Sequence, residues 1–205
     1  EHSAFRNSRS AFSEGEFNYR LRAQLKVQAA EGHVKIGYYR PASHALCEID
    51  HCPLLTQALN DSLDRLRNQP DYLFEGVQTI DLAQGEDGQV VTHPPIALSG
   101  DSGIIRELSH AGNNDNASFR NPQSAIRNLT GVCWHVDRFV YRFDAQTFFQ
   151  ANRFLLADLL RLVVEGEEGD WALDLFCGVG FFTLPLAHRF KSAIGVESDS
   201  RTLRF

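Results

Sequence analysis

The strongest constraint on the fold is an apolar run near the end of the chain that leads directly into a pair of glycines. Residues 171–176 read Trp-Ala-Leu-Asp-Leu-Phe, and Cys177-Gly178-Val179-Gly180 follows. An almost continuous apolar run is typical of a strand buried in a parallel sheet. Residues 178–189 then have the length of a crossover helix, and residues 192–196 form a second apolar run. The segment therefore predicts a βαβ unit.

A ligand site is predicted at the turn between the first strand and the helix, where glycines let a ligand approach the backbone. Thr183 occupies the third glycine position of a dinucleotide fingerprint, which weakens that interpretation. Two acids flank the turn: Asp174 in the first strand and Glu197 after the second, 19 residues beyond Gly178. A structural turn with incidental acids is the alternative.

This arrangement resembles motif I of class I S-adenosylmethionine-dependent methyltransferases. The resemblance implies that Glu197 accepts hydrogen bonds from ribose hydroxyls and that Asp174 lies near the methionine end of the cationic cofactor. Gly178 and Gly180 would let the backbone approach it closely. The expected cofactor contacts are Gln150, Asp174, Phe176, Gly178, Gly180 and Glu197.

The first part of the chain is predicted to be antiparallel. Residues 19–29 alternate between apolar and polar side chains, as in a half-buried strand. A turn at residues 31–32 leads to a partner strand over residues 33–39, and a third short strand follows over residues 45–49.

Leucines at helical spacing predict a helix over residues 52–67, with Pro53 in its first turn. Residues 77–82 and 89–92 are predicted to form a hairpin around a glycine-containing loop, and residues 99–128 to be irregular.

Alternation over residues 132–143 predicts one more strand or hairpin, and residues 150–165 predict a helix. The fold class is thus α/β and α+β. Residues 1–145 are expected to form a central antiparallel α+β domain, and residues 146–205 the first βαβ of a truncated Rossmann-like domain. Because such a sheet would have only two strands, we expect exposed apolar edges and poor solubility.

Charge is unevenly distributed along the chain. The formal net charge of −6 argues weakly against a nucleic-acid partner. Residues 1–40, however, carry seven basic and four acidic side chains, so the excess of acids lies in the remainder. Arg20, Arg22 and Arg40 are therefore candidates for phosphate contact, and a solvated strand edge is the competing interpretation.

The four cysteines form no C-x-x-C pair, which favours reduced thiols in a cytoplasmic protein. No apolar run approaches the roughly 18 residues of a membrane span, and no signal peptide opens the chain. We expect a monomer without membrane association. The chain begins with Glu1 and contains no Met, so we interpret it as a piece of a longer protein.

Six short motifs occur in a characteristic order between residues 17 and 197. They are Tyr19-Arg20-Leu21-Arg22, Gly37-Tyr38-Tyr39-Arg40, Ser43-His44, Cys52-Pro53-Leu54-Leu55, Thr147-Phe148-Phe149-Gln150-Ala151-Asn152 and Asp174-Leu175-Phe176-Cys177-Gly178-Val179-Gly180. This set resembles the RNA (uracil-5-)-methyltransferases, the family that makes 5-methyluridine in tRNA and rRNA. The resemblance implies an RNA-recognition role for residues 1–145, an S-adenosyl-L-methionine-binding methyltransferase domain in residues 146–205, and rRNA or tRNA as partner.

The resemblance also implies that Phe148 stacks on a flipped uracil and that Gln150 reads its Watson–Crick edge. From the residues alone, a core Phe and a Gln at a helix N-terminus would fit as well. His44 is interpreted as a structural or surface histidine, with an RNA contact as the sharper alternative.

Cys52 occupies the position that, in many members of that family, supplies one thiolate of a 4Fe-4S cluster. The other three ligands would lie upstream, where this chain has no Cys. The family's nucleophilic Cys and its base lie beyond the end of this chain, and none of the four cysteines matches the nucleophile motif. We expect the Cys177 side chain to pack under the turn and the chain by itself to be inactive.

Three alternatives remain open at the level of the sequence. They are a class I methyltransferase for another acceptor, a non-catalytic RNA-binding module with the same fold, and a dehydrogenase.

Overall fold

The computed structural model describes residues 16–30, 33–96 and 131–205. The predicted turn at residues 31–32 and the irregular stretch over residues 99–128 lie outside these ranges.

A five-stranded antiparallel sheet organises the first part of the described chain, in the order β3-β2-β1-β4-β5. Its strands are β1 (Arg22–Ala30), β2 (His33–Tyr39), β3 (Leu46–Glu48), β4 (Thr79–Gln84) and β5 (Val90–His93). The three successive strands and the later hairpin are confirmed as antiparallel neighbours.

One face of this sheet carries the first hydrophobic core. The alternating residues Leu21, Ala23, Leu25 and Val27 are all buried, as predicted. Helix α1 (Gln57–Arg67) packs on this face through Leu59, Leu63 and Leu66. A 3₁₀ turn, Asp71–Phe74, adds the buried Phe74.

The predicted start of α1 was wrong. Pro53 is not in a helical turn, because its carbonyl accepts the Asn18 N–H at 2.8 Å and the Leu54 carbonyl accepts the Arg20 N–H at 2.9 Å. Residues 53 and 54 form a turn closed by the hydrogen bond from the Leu55 N–H to the Cys52 carbonyl at 3.0 Å, and Leu55 bridges to Arg20. The helix begins only after Thr56.

The predicted helix over residues 150–165 is shorter for a similar reason. Leu21 donates its N–H to the Ala151 carbonyl at 2.9 Å, and Arg153 donates to the Tyr19 carbonyl at 3.0 Å. Residues 151–153 are thereby held against the chain before β1, and helix α2 spans Leu156–Val164.

An aromatic second core joins the later elements. Strands β6 (Val132–Val136) and β7 (Phe139–Phe143) form a hairpin, which resolves the predicted strand or hairpin. The core is built from this hairpin, α2 and residues close to them in sequence, together with Leu21 just before β1, Ala83 of β4 and Phe181. The predicted division of the chain after residue 145 stays a prediction.

The βαβ unit is present with a shorter helix than predicted. Strands β8 (Gly169–Leu175) and β9 (Phe190–Val196) pair in parallel, and the regular helix α3 covers only Thr183–Leu186, with turns on either side. The expected exposed apolar surface is confirmed in Trp171, Leu173, Leu175, Ile194 and Val196.

Every helix in the described ranges falls short of the length and hydrophobicity that a bilayer crossing requires.

Candidate functional site

The glycine loop lies at the carboxyl ends of the parallel strands β8 and β9. Three of its residues have positive φ: Phe176 at 62°, Gly178 at 57° and Gly180 at 80°. The glycines adopt this conformation freely, whereas a phenylalanine there is strained. The Phe176 side chain is 85% exposed. Residues with a strained backbone are typical of functional sites, so the exposed Phe176 ring is a candidate for contact with a ligand.

Glu197 closes the loop from the end of β9. Its Oε2 accepts the Gly178 N–H at 2.9 Å, and its Oε1 accepts the N–H groups of Ser198 at 2.7 Å and Asp199 at 2.8 Å. The hydrogen bonds from the Asp199 and then the Gly178 amides lower the pKa of Glu197. The carboxylate is thus fixed and ionised, and Oε2 keeps a lone pair for a ligand hydroxyl.

Asp174 is held by Thr183, the residue at the third glycine position of the dinucleotide fingerprint. The Thr183 hydroxyl donates to Asp174 Oδ2 at 2.5 Å, which links the end of β8 to the first residue of α3. Thr183 thus replaces a packing glycine with a hydrogen-bond donor that orients the acid.

Gly195 in β9 was not identified from the sequence. A Cβ at this position would lie 2.9 Å from Cys177 Sγ, which real Cβ atoms essentially never show, and 3.0 Å from Thr183 Oγ1, which is tighter than most real contacts. A side chain here would push the loop away from β9. The available signal was an isolated glycine inside a strand, which often marks a close approach.

The Cys177 thiol lies against β9, in agreement with the expectation that it packs under the turn. Its backbone N–H donates to the Val196 carbonyl at 3.0 Å. Burial raises the pKa of Cys177, with the nearby Asp174 carboxylate acting in the same direction. A thiol that resists ionisation is a poor nucleophile.

The segment that carries Phe148 and Gln150 lies beside the glycine loop. The Phe148 carbonyl is 3.9 Å from where a Cβ of Gly178 would lie, and its ring is 65% exposed. Gln150 is half-buried. Between them Phe149 is buried and stacks on Phe143, with ring centroids 4.2 Å apart. The buried ring anchors the segment while its neighbours face outward.

Tyr141 ties the β6–β7 hairpin to the glycine loop. Its hydroxyl donates to the Phe181 carbonyl at 3.0 Å, and the two rings pack with centroids 5.2 Å apart. Burial raises the pKa of Tyr141, so the phenol remains a donor. The aromatic richness of residues 139–149 was the available signal, but the sequence did not show which rings meet.

The three predicted phosphate-binding arginines have different surroundings. Arg40 is exposed. Arg22 donates from Nη2 to the Ala145 carbonyl at 2.8 Å, and burial lowers its pKa. Arg20 lies between Leu55 and Asn152, bridged to each by its backbone. The structure therefore brings Arg20 and Arg22 to the junction between the sheet and residues 145–153, away from Arg40 on the β2–β3 turn.

Cys52 lies in a loop organised by Asn60. The Asn60 amide accepts the Cys52 N–H at 2.9 Å and donates to the carbonyls of Cys52 and Leu55 at 3.0 and 3.2 Å. Burial, together with the adjacent Cys52, raises the pKa of Tyr38 to about 12.

No three metal-ligating side chains come together within the described ranges. The described residues alone therefore do not fit an iron–sulfur cluster.

Comparison with known proteins identifies the relatives of this chain. A sequence model of the family described as tRNA (Uracil-5-)-methyltransferase matches residues 131–202. A protein of Pectobacterium carotovorum named 23S rRNA (uracil(1939)-C(5))-methyltransferase RlmD is 32% identical over 197 residues, covering 88% of this chain and 42% of the relative. The protein of the same name from Pectobacterium atrosepticum is 31% identical over 193 residues, with 88% and 42% coverage.

A solved structure has the same fold. It is the Pyrococcus abyssi tRNA (uracil-54, C5)-methyltransferase in complex with S-adenosyl-L-homocysteine, with a TM-score of 0.58 and 21% identity. The match covers 92% of this chain and 51% of that chain. The present chain thus spans about half or less of the length of the proteins it matches. Motif order, fold and sequence similarity agree, and the chain belongs to the RNA (uracil-5-)-methyltransferase family.

Proposed function

We propose that this chain is part of an enzyme that transfers a methyl group from S-adenosyl-L-methionine to C5 of uridine in rRNA or tRNA. The observation that carries the proposal is the glycine loop closed by Glu197, next to the exposed Phe148. The printed names of the relatives, and the S-adenosyl-L-homocysteine in the related structure, support both the reaction and the cofactor.

The loop fits the cofactor by its donors and its shape. Glu197 would accept hydrogen bonds from the ribose hydroxyls, while Gly178 and Gly180 leave the backbone open to the ligand. Asp174, held by Thr183, would lie near the methionine amino group. Phe176 and Gln150 would border the site. The bound cofactor supplies a methyl group on a sulfonium centre.

The flipped base would lie against Phe148 and Gln150. An exposed ring offers a stacking face, and a half-buried amide offers both a donor and an acceptor for the uracil edge. Arg20, Arg22 and Arg40 are proposed to contact the RNA backbone.

The covalent step needs two groups that we propose to lie in sequence outside this chain. A thiolate adds to C6 of uracil, and the electron pair pushed onto C5 takes the methyl group. A base then removes the C5 proton, and elimination releases the thiolate. The sequence outside this chain would also supply any further ligands for a cluster with Cys52. The chain by itself is therefore proposed to be inactive.

The proposal is tested with the full-length protein. Incubation with S-adenosyl-L-methionine and unmodified rRNA or tRNA, followed by mass spectrometry of nucleosides, is expected to yield 5-methyluridine. Finding methyl groups on another nucleoside, or on none, would reject the assignment of uridine.

Cofactor binding is tested separately by calorimetry. The Glu197→Gln variant is expected to bind S-adenosyl-L-methionine about tenfold more weakly, because a charged acceptor for the ribose is lost. Asp199→Asn is the matched control, since it alters an adjacent acid whose carboxylate pairs with Arg201 at 2.8 Å instead. If the unmodified protein, Glu197→Gln and Asp199→Asn all bind S-adenosyl-L-methionine equally well, Glu197 does not contact the cofactor.

A further inference from the structure

The five-stranded sheet has one face that α1 does not cover. Strand residues that alternate with the buried ones project from it, and cross-strand pairs align Gln24 with Asp81 and Lys26 with Thr79 and Gly37. We call this surface the open face. It is defined by Gln24, Lys26, Gln28, Lys35, Tyr39, Thr79 and Asp81. Among the described residues, Gln24, Gln28, Lys35 and Tyr39 are exposed.

An aromatic ring and two cation-bearing strands meet on the open face. Tyr39 is 44% exposed, and the Lys26 ammonium lies 5.5 Å from the centre of its ring. His44 packs against the same ring at 5.5 Å, nearly perpendicular to it. The Lys26 Nζ also donates to the Thr79 hydroxyl at 3.0 Å. These contacts hold the tyrosine and the ammonium in fixed positions without burying either group.

The charge of the open face favours an anionic partner. Lys26 and Lys35 lie on it and Arg40 adjoins it, and the carboxylates on it in the described strands are Asp81 and Glu48, which pairs with Gly37. Gln24 donates its amide N–H to Asp81 Oδ1 at 2.9 Å, so one oxygen of that carboxylate is already engaged on the face. Glu48 is already paired with Arg67 at 3.5 Å.

The open face is also continuous with the region proposed to hold the target base. The N-terminal end of β1 lies against residues 145–153. There Arg22 donates to the Ala145 carbonyl, and Leu21, just before the strand, donates to the Ala151 carbonyl. A single-stranded nucleic acid that leaves the Phe148 region along β1 would therefore pass over the open face.

We propose that the open face binds single-stranded RNA next to the target uridine. Tyr39 stacks on an unpaired base, and Lys26, Lys35 and Arg40 contact the phosphates of the same strand. Gln24 and Gln28 can hydrogen-bond to base edges, but stacking on an aromatic ring with a neighbouring cation tolerates any base. This inference rests on the proposed function, because it takes RNA as the partner of the chain.

The test measures binding of the 205-residue chain to a fluorescent oligouridylate of about 12 nucleotides, a length within the usual site sizes of such platforms. Tyr39→Leu is expected to weaken binding about tenfold. Tyr39→Phe is expected to bind like the unmodified chain, because stacking needs the ring and not the hydroxyl. A plot of the logarithm of the binding constant against the logarithm of the salt concentration measures the number of phosphate contacts. Lys26→Gln is expected to reduce the magnitude of its slope by about 0.7, the contribution of one phosphate contact.

Two control variants match these changes elsewhere on the surface. Tyr72→Leu removes a tyrosine that is 69% exposed in the 3₁₀ turn Asp71–Phe74, and Lys191→Gln removes a lysine paired with Asp170 at 2.5 Å. Both are expected to bind the oligouridylate like the unmodified chain. Circular dichroism checks that every variant is folded.

A second readout locates the contact directly. Photo-crosslinking with an oligonucleotide that contains 5-iodouridine, followed by mass spectrometry of peptides, is expected to label Tyr39. The inference is overturned if Tyr39→Leu and Lys26→Gln bind like the controls, if the chain binds no oligouridylate at low salt, or if polyglutamate competes as well as unlabelled RNA. Each of these results leaves the formation of 5-methyluridine by the full-length protein as a separate question.

Discussion

At the scale of single residues, the site depends on groups whose importance comes from what touches them. Glu197 was predicted from its spacing to the glycines, but its lowered pKa depends on three amides that only the folded loop aims at it. Gly195 matters because Cys177 and Thr183 occupy the space where a side chain would stand. Both residues make the loop rigid before any ligand binds.

Glu197 is expected to make stability depend on pH in the acid range. Because its folded pKa is lowered from 4.5, the stabilisation it contributes is present above the unfolded pKa and is lost as the pH falls through the folded value. The difference in the free energy of unfolding between the wild type and Glu197→Gln should therefore be largest near neutrality and shrink in acid. Urea titrations at several pH values measure it; a difference that grows in acid would contradict this.

Gly195→Ala is expected to destabilise the chain by about 1–3 kcal/mol, because the new methyl group forces Cys177 and Thr183 away from β9. Chemical unfolding measures the loss. Gly169→Ala is a fair control, since its Cβ would meet only the ring of Phe190, at 3.2 Å, and ring atoms can shift. Equal effects of both substitutions would mean that the close approach at Gly195 has no special cost.

At the scale of elements, one short segment decides where two helices begin. Residues 18–21 hydrogen-bond to residues 53–54 on one side and to residues 151–153 on the other. Both flanking stretches have helical periodicity, yet both are extended or turned where they meet this segment. The helices α1 and α2 therefore begin five and six residues later than the pattern predicted.

Asn60 is expected to hold the loop before α1 in place. It is buried and makes hydrogen bonds to the backbone of Cys52, Leu55 and Thr56. Asn60→Ala removes these bonds and leaves the Cys52 N–H and the Leu55 carbonyl without their partner, whereas the carbonyls of Cys52 and Thr56 keep a backbone donor. We expect a loss of about 2–4 kcal/mol in the free energy of unfolding. Asn68→Ala removes an exposed hydrogen bond from the side-chain amide to the Asp64 carbonyl and should lower the free energy of unfolding by less than about 1 kcal/mol. Comparable losses for the two variants would refute this role.

At the scale of the whole molecule, two cores share the start of β1. Leu21 and Ala83 of the sheet pack into the aromatic core around Phe143 and Phe149. The Glu86 N–H also donates to the Cys133 carbonyl at 2.9 Å, which ties the β4–β5 loop to β6. The sheet, the hairpin and the glycine loop are thus packed through direct contacts.

Tyr141→Phe tests the connection between the hairpin and the glycine loop. Without the hydroxyl, the buried Phe181 carbonyl loses its donor at 3.0 Å, and we expect about 1 kcal/mol of lost stability. Amide hydrogen exchange in residues 176–181 should become faster than in the wild type, while exchange in β1 and β2 stays unchanged. Tyr72→Phe is the exposed control, and unchanged exchange in the loop would show that the hydroxyl does not hold it.

The sequence by itself determined the strand order along the chain, the buried side of β1, the βαβ unit, the family and the positions of Asp174, Gly178 and Glu197. The family was indicated by the resemblance of six motifs, and the other features follow from periodicity and spacing, which are local properties. Only the tertiary structure decided where the helices begin, that Thr183 orients Asp174, that Tyr141 reaches Phe181, and that Arg22 turns toward the Ala145 carbonyl. The physical reason is that these outcomes depend on backbone and side-chain partners distant in sequence, which compete with local propensity and become known only when the chain is packed.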